Sequence, residues 1–245
     1  MSDEAADPLG EYRRTNVEGT LKLAQDAAAA GVRRFVFLSS IKVNGEATAP
    51  GRPFRETDAP HPVDPYGRSK LEAEQALFEF GQRSGMEVVV VRPPLVYGPG
   101  VKANFRSMMR WLSKGVPLPL GAIHNHRSLV ALDNLVDLLV RCTEHPAAAN
   151  QVFLAGDGED VSTTALLRRT AAALGCRARL IPVPASWLMM AARGLGKAPV
   201  ASRLCGNLQV DISKARDLLG WQPPVSLDEG LRRAAAGFLA QVGNE

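Results

Sequence analysis

The sequence is poor in the residues that would tie it to a disulfide scaffold, a metal centre or a bilayer. Its three cysteines, Cys142, Cys176 and Cys205, are far apart and never spaced as CxxC, so neither a disulfide framework nor a zinc site is indicated and a reducing, cytoplasmic setting fits. No apolar run is long enough to span a membrane; the most apolar stretch, Trp187 to Ala192, is closed by Arg193 and reads as an amphipathic surface or interface helix. The chain opens on acidic and small residues rather than on a charged-then-apolar leader. A dense basic run flanked by aromatics is also missing: Lys and Arg number 29 against 25 Asp and Glu, and the surplus is dispersed. Nucleic acid is therefore not an expected partner. The positive balance suits an anionic small molecule such as a diphosphate, and equally a solvated surface. His124 and His126 lack a third nearby ligand, so no metal is expected.

A further absence bears on cofactor binding. A dinucleotide-binding sheet begins with a strand, a G-x-G-x-x-G type turn and a helix whose N-terminal amides hold the pyrophosphate. No such turn occurs. Gly194 and Gly196 follow an apolar helix, and Gly98-Pro99-Gly100 has a proline where a backbone donor is needed.

What is present is a soluble composition, 46% hydrophobic and 22% charged, able to bury one core or a core plus a lobe. The spacing predicts a helix from Asn16 to Ala30 stopped by Gly31, then a strand buried on both faces at 34–39. Helix then strand repeats: Tyr66 to Arg83 stopped by Gly85, and Met86 to Val91 running into Arg92-Pro93-Pro94. Such alternation implies a parallel α/β sheet. After Gly100 the pattern turns helical, at about 103–114, 132–145, 162–174, 185–194, 211–219 and 226–241, with one strand at 151–155. The expected architecture is an incomplete Rossmann-like parallel sheet (1–100) with a smaller helix-rich substrate lobe (101–245) facing one cleft. Met189 and Met190 with Trp187 read as core or lobe contact rather than as a cofactor box.

Chemistry concentrates at Tyr66-Gly-Arg-Ser-Lys70. Four residues apart on a helix, the phenol and the ammonium share one face. A free phenol is a poor base at neutral pH, but a neighbouring cation favours the phenolate and makes it a usable acid/base. Ser39 and Ser40 end the preceding strand, where parallel sheets border their ligand crevice. Arg92-Pro-Pro-Leu-Val-Tyr97-Gly-Pro-Gly100 reads as a stiff turn that ends a strand and could wall a planar ring.

These motifs occur in a telling order: Thr15-Asn16-Val-Glu-Gly19, Phe37-Leu-Ser39-Ser40 with Val43-Asn44-Gly45, Asp64-Pro-Tyr66-Gly-x-Ser69-Lys70, and Arg92-Pro-x-x-Val-Tyr97. Later come Arg127-Ser128 before Val130-x-x-Asp133, Asp211-Ile-Ser-Lys214-Ala, and Leu219-Gly-Trp221-Gln-Pro. From about residue 11 onward the chain resembles the extended short-chain dehydrogenases/reductases, the NAD-dependent epimerase/dehydratase family. The resemblance implies NAD or NADP as cofactor and a UDP-sugar as substrate. It makes Tyr66 the acid/base, Lys70 the partner that lowers its pKa and holds the nicotinamide ribose, and Ser40 the hydroxyl that orients the reacting oxygen. It places Ser39 and Pro93 beside the cofactor, Asn16 behind the site, Asn104 near the nucleotide diphosphate, and Arg127 with Arg203 as its clamps. Two departures stand out. Asn44 stands where a tyrosine is usual and Lys42 lies nearby, which alters the expected pocket polarity, and the family's first strand and glycine turn are not found.

The stretches Ile41 to Glu46, Val101 to Phe105 and Arg203 to Asp211 most resemble enzymes of surface-polysaccharide synthesis that reduce the 4-keto group of a UDP-linked 6-deoxy-N-acetylhexosamine. A UDP-hexose 4-epimerase is the near alternative, and an inactive, truncated sugar-nucleotide-binding remnant a third. A homodimer is expected of the complete enzyme. As written, the chain is expected to turn over little NAD and to self-associate through an exposed sheet edge.

Overall fold

The computed structural model describes residues 7–242. The chain enters through α1 (Pro8–Arg13), capped by the Asp7 carboxylate on the Gly10 amide at 3.0 Å with proline in the first turn. It passes through one π turn (Arg14–Gly19) into α2 (Thr20–Ala29) and stops at Gly31, whose φ of +81° suits only glycine comfortably. The helix thus begins earlier than its apolar spacing suggested, because the Asp-Pro cap is a stronger start signal than the first buried position.

β1 (Arg34–Leu38), α3 (Pro65–Ser84) and β2 (Glu87–Arg92) follow, with α3 ending at Gly85 (φ +77°). β1 and β2 are parallel, Phe35 facing Val88 and Phe37 facing Val90. Val88, Val89, Val90 and Val91 have no exposed surface at all, because both sheet faces are covered. Val88 and Val90 pack with Phe37, Leu77 and Ala24 beneath α2 and α3. Val89 and Val91 join the opposite core with Leu135, Leu138, Phe153 and Trp221.

Past residue 92 the order of elements differs from expectation. The run after Pro94 is a strand, β3 (Leu95–Tyr97), and β4 (Arg127–Ala131) pairs with it in parallel. Between them lies α4 (Ala103–Ser113), and α5 (Leu132–Glu144) leaves β4 with no intervening turn. β5 (Val152–Leu154) returns to pair with β2, so the first sheet reads β1-β2-β5 and draws on both sides of residue 100. β6 (Asp160–Val161) adds antiparallel to β4, giving β3-β4-β6.

The second core sets Tyr97, Phe105, Met109 and Leu129 against α6 (Thr163–Ala173) and α10 (Leu227–Val242). α7 (Ala185–Gly194), α8 (Ala198–Cys205) and α9 (Ser213–Leu219) lie between α6 and α10. Trp187 and Met190 are 65% and 68% exposed and Met189 is half-buried, so the stretch is the surface helix expected of it, and Trp187 and Met190 are not the core or lobe contacts they were read as. Among the described residues no helix is long and apolar enough to cross a membrane.

Candidate active site

The carboxyl ends of β1 and β2 meet the first turns of α3. Asp64 caps α3 by accepting from the Gly67 amide at 2.6 Å, and Pro65 starts the helix. Gly67 is required by close approach: a Cβ there would lie 2.9 Å from the Lys42 carbonyl oxygen. The helix therefore abuts the 3₁₀ turn Ile41–Val43, which carries Lys42. Behind it, Asn16 on the π turn donates to the Ser69 hydroxyl at 2.9 Å, and Ser69 donates to the Tyr66 carbonyl at 2.8 Å. The π turn, a form common at functional sites, thus buttresses the start of the helix.

Tyr66 and Lys70 are brought together as their spacing predicts. The Lys70 Nζ lies 5.9 Å from the Tyr66 ring centroid, and both side chains are partly buried. Lys70 donates to the Leu38 carbonyl at 3.0 Å and sits 4.5 Å over the Phe37 ring. Tyr12 packs edge-on against Tyr66 with centroids 5.6 Å apart.

The electrostatics run opposite to expectation. Burial, and then the Asp64 carboxylate, push the Tyr66 phenol above its ordinary pKa, while burial lowers the Lys70 ammonium. Lys70 spends its charge on a carbonyl and an aromatic face, so without ligands the phenol rests as a proton donor.

The two serines divide. Ser40 is extended, caps the 3₁₀ turn by accepting from the Lys42 amide at 3.3 Å, and stays partly exposed. Ser39, expected beside the cofactor, is instead 3% exposed and turned inward, its hydroxyl donating to Glu74. Glu74 is the hub of a buried network that sequence reasoning missed. Arg92 grips both its oxygens, Nε at 3.0 Å and Nη2 at 2.6 Å, and donates to the Asn44 Oδ1 at 3.0 Å. Asn44 in turn donates to the Arg55 carbonyl at 2.8 Å. Asn44 is thus a buried strut rather than a determinant of pocket polarity. One signal for this network was available: Arg92 is a cation ending a run of four valines, and a buried cation demands an anion.

Lys42 belongs to the same group: its Nζ is 5.9 Å from the Tyr66 ring centroid, as close as Lys70. It is ion-paired with Asp64 and lies 3.7 Å from Glu46. Glu46 accepts from Arg203 at 3.3 Å, linking the phenol's surroundings to α8. Arg127 is tied to the same helix end, donating from Nη1 to the Arg203 and Gly206 carbonyls at 2.7 and 3.2 Å; burial and the nearby Arg203 lower its pKa. As placed, neither arginine is free to clamp a diphosphate without exchanging these partners. Asn104 is exposed in the first turn of α4, Pro93 is buried at the end of β2, and His124 and His126 are exposed.

A nicotinamide and its ribose fit the group formed by Tyr66, Lys70, Ser40 and Pro93: a phenol, an ammonium and a hydroxyl sit at strand carboxyl ends beside a non-donating wall. The pyrophosphate finds no matching cradle among the described residues, because β1 runs into Ser39-Ser40, β2 into Pro93-Pro94, and the glycines after β5, Gly156 and Gly158, lead into β6 and not into a helix N-terminus.

The model of the NAD dependent epimerase/dehydratase family matches residues 2–156. A UDP-glucose 4-epimerase of Vibrio cholerae is 52% identical over 240 residues, 98% of this chain and 73% of that protein. A GDP-6-deoxy-D-mannose reductase of Pseudomonas aeruginosa is 27% identical, with coverages of 94% and 74%. Among solved structures, UDP-glucose 4-epimerase of Thermotoga maritima with UDP-glucose superposes with a TM-score of 0.73 at 26% identity, covering 99% of this chain and 76% of that one. A family match over more than half the chain, on a Tyr66–Lys70 pair seated at the carboxyl ends of a parallel sheet, makes this chain a member of the NAD dependent epimerase/dehydratase family of enzymes.

Proposed function

We propose that the chain carries the active site of a nucleotide-sugar 4-epimerase acting on a UDP-hexose. The observation that carries this reading is the 52% identity with a UDP-glucose 4-epimerase, spread over 98% of the chain. It moves the 4-keto reductase of a UDP-linked 6-deoxy-N-acetylhexosamine to second place; the Pseudomonas aeruginosa reductase, at 27% identity, keeps that reading in view.

Either reaction asks the same of these residues. The nicotinamide, when bound, supplies or accepts hydride. Tyr66 moves the matching proton at the sugar oxygen, Ser40 holds that oxygen by hydrogen bond, and Lys70 exchanges the Leu38 carbonyl for a ribose hydroxyl. A phenol resting protonated is ready to donate; to serve the oxidising half-reaction it would first have to lose its proton, which Lys42 and Lys70, each 5.9 Å from its ring centroid, would favour. Asn104, Arg127 and Arg203 are proposed to take the diphosphate, the arginines by trading carbonyl and Glu46 partners for phosphate oxygens.

The experiment is product analysis by NMR, using UDP-glucose deuterated at C4 with added NAD and, separately, a UDP-4-keto-6-deoxy sugar with NADPH. Epimerisation with the deuterium kept on the product sugar is the expected reaction, at a low rate because the described residues offer the cofactor's pyrophosphate no cradle. Reduction of the keto sugar with loss of NADPH absorbance, and no epimerisation, would establish the second reading. Binding of UDP-glucose without either reaction would leave a non-catalytic binder.

A further inference from the structure

The hairpin of α7 and α8 stands out from the body of the fold. Its helices pack chiefly on each other, and α7 has no fully buried residue. Helical spacing puts Trp187, Met190 and Ala191 on one face of α7, and that face points outward, with Trp187 65% and Met190 68% exposed. The apolar surface continues through Leu195, 75% exposed, to Val200 at 55% on α8.

Charge decides what could cover it. Between Asp160 and Asp211 the sequence contains no acidic residue. Arg193 and Lys197 flank the apolar residues in and beside the connecting turn, both exposed, and none of the described carboxylates pairs with either. A second copy of the chain meeting this face across a two-fold axis would oppose cation to cation. An anionic lipid surface matches both features at once: tryptophan and aliphatic side chains suit the boundary between headgroups and acyl chains, and lysine and arginine suit the lipid phosphates. The ten residues of α7 are too few to span a bilayer, so the helix would lie in the interface.

We propose that the α7–α8 hairpin docks this protein on the surface of an anionic bilayer, with Trp187 and Met190 inserted below the headgroups and Arg193 and Lys197 against the phosphates. The carboxyl end of α8 holds Arg127 through the Arg203 and Gly206 carbonyls, so docking brings the lipid surface up to the substrate side of the candidate site.

Flotation of the full chain with vesicles tests this without any turnover, and so independently of the proposed reaction. Vesicles of equal parts phosphatidylglycerol and phosphatidylcholine are expected to carry the protein at least about tenfold better than phosphatidylcholine alone, with the difference shrinking as salt is raised. The double variant Trp187→Glu/Met190→Glu changes only exposed side chains; it should keep the circular dichroism spectrum and melting temperature while binding drops about tenfold or more. Arg193→Gln/Lys197→Gln should reduce the anionic preference alone. No flotation with anionic vesicles, or equal flotation of the Glu variant, would overturn the proposal. So would a glutamate variant that converts a dimer to a monomer while the parent protein ignores vesicles, since the face would then belong to a second copy.

Discussion

Replacing Glu74 with leucine should be among the most damaging single changes in the first lobe, and the structure says by how much. Glu74 is 2% exposed and Arg92 4%, so neither can recover hydration when its partner is lost. The leucine removes both bonds of the guanidinium fork and the acceptor of the Ser39 hydroxyl, leaving a buried cation held only by Asn44 Oδ1 and a buried donor with no acceptor. An uncompensated buried charge of this kind costs about 3–5 kcal/mol. At about 2–4 °C per kcal/mol for a chain of this size, the melting temperature should fall by roughly 6–20 °C. The double variant Glu74→Leu/Arg92→Met removes both charges and with them the desolvation penalty. It orphans Asn44 Oδ1 and the Ser39 hydroxyl, at about 1–3 kcal/mol each, which the relief of about 1–4 kcal/mol of ion desolvation offsets, so it should lie within about 2 kcal/mol of the parent. Urea titration followed by circular dichroism, with both single variants and the double, gives the cycle; calorimetry checks that unfolding is two-state. A Glu74→Leu cost below about 1 kcal/mol, or a double variant as unstable as the sum of the singles, would refute the claim that one buried ion pair ties β1, β2 and α3 together.

Tyr66 gives a prediction with a sign. Asp64 raises its pKa, so Asp64→Asn, which preserves the helix cap, should lower it; Lys42→Met leaves Asp64 unopposed and should raise it. With three tyrosines in the sequence, NMR titration of carbon-13-labelled tyrosine resolves this, and a shift in the opposite direction for Asp64→Asn would show that Asp64 does not govern the phenol. In the base-requiring direction of any turnover, the rising limb of the pH profile should move the same way as the phenol. Gly230→Ala tests the second core: its Cβ would lie 2.6 Å from the Tyr97 hydroxyl, which is held at 2.7 Å by Asp157. Overpacking of about 1–3 kcal/mol should outweigh the roughly 1 kcal/mol that alanine adds to a helix, so the variant should melt below the parent.

What could be read from the sequence is what local geometry determines. Four residues of helix fix Tyr66 and Lys70 on one face whatever surrounds them, and four consecutive valines signal a strand covered on both sides wherever its neighbours lie. The features that escaped depend on groups distant in sequence. Ser39 and Ser40 are adjacent and chemically identical, and which one turns inward is settled by Glu74, on a helix that begins only after a long loop. Arg127 resembles a phosphate clamp in its motif, yet its ligand-free partners are carbonyls at the far end of α8. β3 is three residues between prolines and glycines, and β4 runs directly into α5, so neither carried a boundary or a period to detect. The direction of the Tyr66 shift is the most instructive case. An ammonium one helical turn away argues for a lowered pKa, but burial and then Asp64 raise it, while Lys70 answers to Leu38 and Phe37. A motif therefore fixes which groups meet, while the sign of their coupling is set by everything else that meets them, and at this phenol that includes Lys42, a cation the motif does not contain.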